Sequence, residues 1–297
     1  MSVDLAAYLA AERRTIDAAL HRLLPGEEVW PQRLHQAMRY AVFGGGKRLR
    51  PLLVRACCQA AGGDPELVLE ASCALELIHT YSLIHDDLPA LDNDTLRRGR
   101  ATVHVAFDEA LAILAGDALL TEGFAVLARY PEGQRWAERR AEACRLVAQA
   151  VGSVGMVGGQ VEDLEATGAA PDAGRLERIH RAKTGALLGA ATELGALLAG
   201  ADAEVRARFA RFGQEFGLLF QIADDILDVT GTAAELGKSP GKDAAAGKLT
   251  YPLVHGLEEA RQKREELAAS LRGAAQALEG EGGVLQALVD YCAGRRG

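Results

Sequence analysis

Apolar residues recur at helical intervals along the whole chain. Leu5, Leu9, Ile16, Leu20 and Leu23 stand at threes, fours and sevens, so they line one face of a helix. Pro25-Gly26 ends that segment, Pro31 opens the next at its first helical position, and Gly44 closes it. The same reading predicts helices over 51–61, 65–87, 109–129, 137–157, 173–199 and 205–229, each bounded by Pro or Gly, and two more between 251 and 291. No run alternates with period two for long enough to demand a strand. The one long irregular stretch is 231–247, and no linker divides the chain. The expected fold is all-α, one domain over 1–297, with helices joined by connections of about 2–8 residues. Gly152, Gly155, Gly158, Gly159, Gly213 and Gly217 are read as points of close helix approach, because a glycine inside a helix costs about 1 kcal/mol relative to alanine.

Composition supports this reading and narrows the function. Of 297 residues, 49% are apolar and only 5% aromatic, with Ala and Leu dominant, which favours helices over strands. A formal charge of −8 lacks the basic face that a nucleic-acid partner requires. Cys57, Cys58, Cys73, Cys144 and Cys292 are odd in number and form no CxxC pair, so neither a disulfide framework nor a zinc site is expected. The N-terminal residues carry an early Asp4 and no basic run, so no signal peptide is expected. The longest apolar stretch, 186–201, is interrupted by Thr192 and Glu193 and is too short to span a membrane. A cytoplasmic protein without a membrane span is the resulting expectation.

Two acid clusters break the apolar pattern. DDLPALD places Asp86, Asp87 and Asp92 at the end of the apolar segment LIHTYSLIHDD. A helix C-terminus prefers cations, so adjacent carboxylates there oppose both the macrodipole and each other, and something cationic must offset them. Pro89 breaks the helix and lets the chain loop back, so that Asp92 rejoins Asp86. The second cluster, DDILD, puts Asp224 and Asp228 four apart on one helix face, with Gln221 three before Asp224 on the same side. Clusters of hard oxygen ligands without His or Cys companions point to magnesium, an ion that keeps several waters and is shared with substrate phosphates.

Basic residues supply the complementary half. GGGKRLRP sets Lys47, Arg48 and Arg50 after three glycines at a predicted helix start, where backbone N–H groups also favour anions. DTLRRGR follows the first acid cluster with Arg97, Arg98 and Arg100; Lys183-Thr184 lies mid-helix; Lys238, Lys242 and Lys248 follow the second cluster. Carboxylates that hold magnesium, together with separate Arg and Lys groups, form an arrangement suited to two diphosphates. The glycine-rich stretch is not a Walker loop, since five residues rather than four separate Gly231 from Gly237-Lys238-Ser239 and no strand precedes it.

GGGKRLRP, DDLPALD with its following RRG, GDALL (116–120), GGQVED (158–163), Lys183-Thr184, FQIADDILD, and GKD followed by KLTYP occur in this order over most of the chain. The set resembles the trans-isoprenyl diphosphate synthase family, and the DDxxxxD form of the first motif resembles that of bacterial farnesyl and plant geranylgeranyl synthases. The resemblance implies an isoprenoid-synthase-type helical bundle around a deep central cavity, assembled as a homodimer. It implies that Asp86, Asp92 and Asp224 ligate magnesium, with Asp87 and Asp228 supporting, three ions in all and manganese a possible substitute. Arg97, Lys183, Gln221 and Lys238 would contact an allylic diphosphate, and Lys47, Arg50, His79 and Arg98 would bind isopentenyl diphosphate. Carbonyls near Lys183 and Thr184 and the Gln221 side chain would face an allylic cation. His79 stands two turns before Asp86 on the same helix face, which is consistent with such a role.

Chain length and rival activities also follow from these residues. Tyr81 lies five residues before Asp86 and resembles the aromatic floor of farnesyl synthases, with the small Ser82 beside it. A C15 product is therefore expected; geranylgeranyl and geranyl diphosphate synthases are the alternatives. A noncatalytic partner subunit would have lost the acid motifs, which are intact here. A terpene cyclase needs one diphosphate site only, which the set Lys47, Arg50, His79 and Arg98 argues against.

Overall fold

A computed structural model of the chain describes residues 3–231 and 247–294. The described helices are α1 (Leu5–Leu23), α2 (Gln32–Val42), α3 (Leu49–Ala60), α4 (Leu69–Asp86), α5 (Val103–Ala106), α6 (Glu109–Arg129), α7 (Ala137–Val151), α8 (Met156–Ala166), α9 (Ala173–His180), α10 (Ala186–Ala199), α11 (Ala203–Thr230), α12 (Tyr251–His255), α13 (Leu257–Glu279) and α14 (Val284–Ala293). A π-helical turn, Arg181–Gly185, joins α9 to α10, and a single 3-10 turn covers Gln134–Trp136. The expected all-α class is observed. Two compact units can be distinguished: Ala6–Arg55 with Asp64–Cys144, and the remaining described residues.

In the first unit α4 is buried on nearly all sides, as its continuous apolar sequence demands. It packs on α6, and two glycines of α6 let the helices approach. A Cβ at Gly116 would strike the His85 ring, and one at Gly123 would meet Ile78 Cγ1 at 2.5 Å. These glycines are seven apart, so they share one face of α6. Asp108 caps the helix by accepting from Leu111 N–H at 2.7 Å. By length and composition α6 could cross a membrane, at mean hydropathy 1.7, but its buried side is the α4 contact.

In the second unit α10 and α11 meet at the expected Gly213 and Gly217. A Cβ at Gly213 would strike Thr192 Oγ1, and one at Gly217 would meet Gly185 Cα at 2.7 Å. The Thr192 hydroxyl donates to Phe209 O at 2.7 Å across this contact. Gly159 serves the same purpose against the π turn, where a Cβ would crowd the Lys183 backbone.

Beyond shifts of a few residues at helix ends, the chain departs from the sequence reading at several places. The helix expected over 137–157 is two helices, because the chain turns at 152–155 and Gly155 precedes α8 in a non-helical conformation (φ −110, ψ −128). The C-terminal pair is three helices, broken at Gly256, whose φ of 86° lies in the left-handed region. A two-residue hairpin, β1 (Leu96–Arg97) with β2 (Arg100–Ala101), pairs antiparallel and is too short for an alternating pattern to announce it. Its loop is Arg98-Gly99 with φ of 53° and 75°, the sign pattern of the tight turns favoured in hairpins. Most of the irregular stretch expected at 231–247 lies outside the described residues.

Candidate active site

The first unit gathers the first acid cluster and most of the arginines. Asp92 N–H donates to Asp86 O at 2.8 Å, and Asp94 N–H donates to Asp87 O at 3.1 Å. The chain therefore turns back after α4 as Pro89 implied, and Asp92 returns to Asp86. Asp87 is only 3% exposed. Arg97 clamps it, donating through Nε at 2.8 Å to Oδ2 and through Nη2 at 2.7 Å to Oδ1. Burial works against the Arg97 charge, but the bonds and charge of Asp87, with Asp86 and Asp92 beyond it, raise its pKa overall. The cation required beside this cluster is thus supplied to Asp87 by the protein itself.

Two of the four arginines near His79 are neutralised and two are not. Arg48, 3% exposed, donates to Asp17 at 2.7 Å, to buried Glu76 at 2.8 Å and to Val42 O at 2.7 Å. Its φ of 51° lies in the left-handed region. Losing one partner of such a buried pair typically costs about 3–5 kcal/mol, so Arg48 is a structural residue. Arg97 is held by Asp87. Arg50 and Arg98 have no carboxylate partner among the described residues; Arg98 donates to Gly45 O, and Arg50 Nε is buried without a hydrogen-bond partner. Burial pushes Arg50 down to about 10, against Glu76 and assisted by Arg98, so it remains charged at neutral pH. Burial, followed by the charges of Arg50, Arg98, Arg97 and Arg48, pushes His79 well below the usual imidazole range. His79 is therefore a neutral hydrogen-bonding group among surplus cations, a setting that attracts an anion. Lys47 is exposed at the edge of the same segment.

Tyr81 is 7% exposed and stands edge-on to His85, with ring centroids 5.6 Å apart. Burial and the Asp86 charge raise its pKa, so the phenol stays neutral. Ser82 donates to His79 O at 2.9 Å, within its own helix turn.

The second unit gathers the second acid cluster and Lys183. Gln221, Asp224 and Asp228 occupy one stripe of α11, at intervals of three and four residues. The Thr184 hydroxyl donates to Gln221 Oε1 at 2.8 Å, and Lys183 Nζ contacts Asp163 Oδ2 at 2.8 Å. Lys183 and Thr184 both lie on the π turn, a distortion frequent at functional sites. The Thr184 hydrogen bond ties this turn to Gln221. Asp225, adjacent to Asp224 in sequence, is buried and accepts from Tyr251 N–H at 2.8 Å. No group of three or more His, Cys, Asp or Glu side chains able to hold a metal ion occurs among the described residues. Oxygen-only sets of this kind fit magnesium, which takes one or two carboxylates and completes its shell with water and substrate phosphate. Lys238, expected at the allylic diphosphate, and Lys242 lie outside the described residues.

Comparison with known proteins places this arrangement. The profile of the polyprenyl synthetase family matches residues 31–287. The chain belongs to the polyprenyl synthetase family. It is 45% identical to geranylgeranyl pyrophosphate synthase 11, chloroplastic, of Arabidopsis thaliana, over 98% of this chain and 82% of that one. It is 44% identical to a dimethylallyltranstransferase of Fischerella ambigua, over 97% of this chain and 83% of that one. Among solved structures, an FPP/GFPP synthase from Zymomonas mobilis superposes with a TM-score of 0.87 at 39% identity, covering 99% of this chain and 100% of that one. This polyprenyl synthetase is an enzyme of the prenyltransferase type, and that class implies isopentenyl and allylic diphosphate substrates.

Sequence reasoning passed over three residues of this polyprenyl synthetase's sites. Asp163, the partner of Lys183, lies within GGQVED, but twenty residues separate the two and no local spacing announces the pair. Asp225 was hidden inside DDILD as one more acid. Gly116 opens GDALL, and its reason is steric: only a residue without Cβ leaves room for His85.

Proposed function

We propose that this enzyme condenses isopentenyl diphosphate head-to-tail with dimethylallyl or geranyl diphosphate and releases mainly farnesyl diphosphate (C15). The observation that carries this reading is the surplus cationic group of Arg50 and Arg98 beside neutral His79, two turns before Asp86 on α4. An enzyme that consumed one diphosphate would have no use for it, which disfavours a cyclase. The intact acid motifs disfavour a noncatalytic subunit.

Asp86 and Asp92 in one cluster, and Asp224 and Asp228 in the other, would hold magnesium, with manganese able to substitute. When bound, that ion offsets the negative charge that develops on a departing diphosphate. Lys183, and Lys238 from the glycine-rich stretch, add positive charge to the allylic diphosphate. The allylic C–O bond breaks with its electron pair leaving on diphosphate. Oxygen dipoles of the Lys183-Thr184 turn and the Gln221 amide face the resulting cation. The double bond of isopentenyl diphosphate, held by Lys47, Arg50, His79 and Arg98, then forms the 1′–4 carbon–carbon bond. The released diphosphate takes the final proton. Water must be kept from the cation throughout, a task for the apolar residues of α4.

The relatives carry names that include geranylgeranyl and FPP/GFPP synthases, so C20 is the nearest alternative product. C15 is favoured by buried Tyr81. A homodimer is part of this proposal, supported by α6, which leaves Ile113 and Leu114 45% and 55% exposed.

Two separate anion sites make a kinetic prediction. Arg50→Ala is expected to raise KM for isopentenyl diphosphate at least tenfold, since a hydrogen bond to a charged group contributes about 1.5–3 kcal/mol. KM for geranyl diphosphate is expected to stay within about twofold, because Arg50 is assigned to the other anion site. Steady-state rates with each substrate varied measure both, and equal increases in the two KM values would contradict distinct sites.

A further inference from the structure

The acid cluster on α11 contains three aspartates, and they do not share one environment. Asp224 and Asp228 lie on the Gln221 stripe, while Asp225 is turned about 100° from Asp224 around the helix axis. Asp225 is 7% exposed and Asp228 2%, so the groups its carboxylate faces, rather than burial, set Asp225 apart. Its Oδ2 accepts from Tyr251 N–H at 2.8 Å and lies 3.5 Å from His180 Nε2. Tyr251 opens α12, and its N–H is one of the orphan donors of a helix start. His180 is the last residue of α9, immediately before the π turn that carries Lys183 and Thr184. The His180 ring stacks against Tyr251 with centroids 6.3 Å apart, and Tyr251 stacks on His255 at 4.6 Å. One buried carboxylate therefore joins three segments distant in sequence: DDILD, HRAKT and KLTYP.

Oδ2 directed at a backbone N–H and an imidazole edge is poorly placed to serve a solvated cation. Burial pushes His180 down to about 4, against Asp163 and with Lys183, so the ring is neutral, with its Nε2 edge 3.5 Å from Asp225 Oδ2. His180 Nδ1 is buried without a hydrogen-bond partner among the described residues, so the Asp225 contact and the Tyr251 stack are what orient the ring. A half-satisfied buried imidazole of this kind is held only if its surroundings fix it.

We propose that Asp225 is a positioning residue and not a metal ligand: its carboxylate braces His180 and the start of α12, and through them sets the Lys183-Thr184 turn and the returning chain at Lys248 for the allylic diphosphate. The functional half of this proposal rests on the prenyl transfer assigned above; the brace itself does not.

Two substitutions separate the possibilities. Asp225→Ala removes both contacts, whereas Asp225→Asn keeps an oxygen for Tyr251 N–H. Amide hydrogen exchange of the unliganded full-length protein is expected to accelerate at 180–185 and 251–255 in Asp225→Ala, and much less in Asp225→Asn. With geranyl and isopentenyl diphosphates, Asp225→Ala is expected to raise KM for the allylic substrate about tenfold, the effect of losing one charge-assisted contact. KM for isopentenyl diphosphate and the magnesium concentration for half-maximal rate should stay within about twofold, and Asp225→Asn should recover most of the loss. A tenfold or larger shift in the magnesium requirement, with Asn as poor as Ala, would make Asp225 a ligand and overturn the proposal. Unchanged exchange in Asp225→Ala would overturn the brace even if the rates changed. Wild-type protein that consumed no isopentenyl diphosphate would instead refute the assigned reaction, with the exchange data still deciding the brace.

Discussion

Asp86→Ala and Asp224→Ala are each expected to lower turnover by about 10²–10³, the cost of losing one group that stabilises charge in the transition state. Thermal unfolding should move little, because both carboxylates are half-exposed at the surface of their helices and removing either relieves repulsion in its own cluster. Asp87 and Asp225 provide the contrast. Asp87 is clamped by Arg97 and Asp225 holds Tyr251 N–H, so alanine at either position removes a buried bond and lowers stability as well as rate. The same logic predicts an activity that requires magnesium or manganese. Circular dichroism melting beside initial rates measures the two effects separately. Near-normal turnover in Asp86→Ala and Asp224→Ala, or full activity in excess chelator, would contradict the role assigned to both clusters.

Tyr81→Ala is expected to change the product and not the reaction. A tail growing from the first acid cluster along α4 advances about 1.5 Å per residue, so Tyr81 lies roughly 7–8 Å beyond Asp86. Its ring is buried and edge-on to His85, which in turn is seated over Gly116. Ile78, roughly 12 Å beyond Asp86 by the same rise, is fully buried against Gly123. Truncating Tyr81 removes the first obstruction, and the products should shift from C15 to C20 and longer. Ser82 is too small to replace it. Chromatography of the dephosphorylated products decides the matter: a wild-type enzyme giving chiefly C20, or a variant with an unchanged distribution, would show that Tyr81 does not set the length.

The helices were legible because Ala- and Leu-rich periodicity is a local property, and Pro and Gly mark most of the ends. What was not legible depended on contacts between distant segments. Nothing in RAKTG distinguishes a π turn from an α turn; the turn sits where Gly159 packs against the Lys183 backbone. The break at 152–155 was read as helix packing because a glycine can serve either purpose. The hairpin at 96–101 is too short for a pattern, although RRG holds the residues of its turn.

The site was legible to the same degree. Spacing brought Asp92 back to Asp86 and set Gln221, Asp224 and Asp228 on one stripe, and the structure shows both. Spacing could not separate Asp86 from Asp87, or Lys47 and Arg50 from Arg48. Those distinctions arise from burial: Arg97 reaches back ten residues to Asp87, and Asp17 and Glu76 from two other helices enclose Arg48. The expectation that a cation must offset the first cluster was sound, but it did not foresee that an arginine of the chain would take one of the three carboxylates.

The most direct test of prenyl transfer is a single incubation. Purified enzyme with magnesium, geranyl diphosphate and isotope-labelled isopentenyl diphosphate is predicted to yield farnesyl diphosphate carrying one label, with one diphosphate released per bond formed. Consumption of geranyl diphosphate without isopentenyl diphosphate, or no labelled product longer than C10, would contradict it.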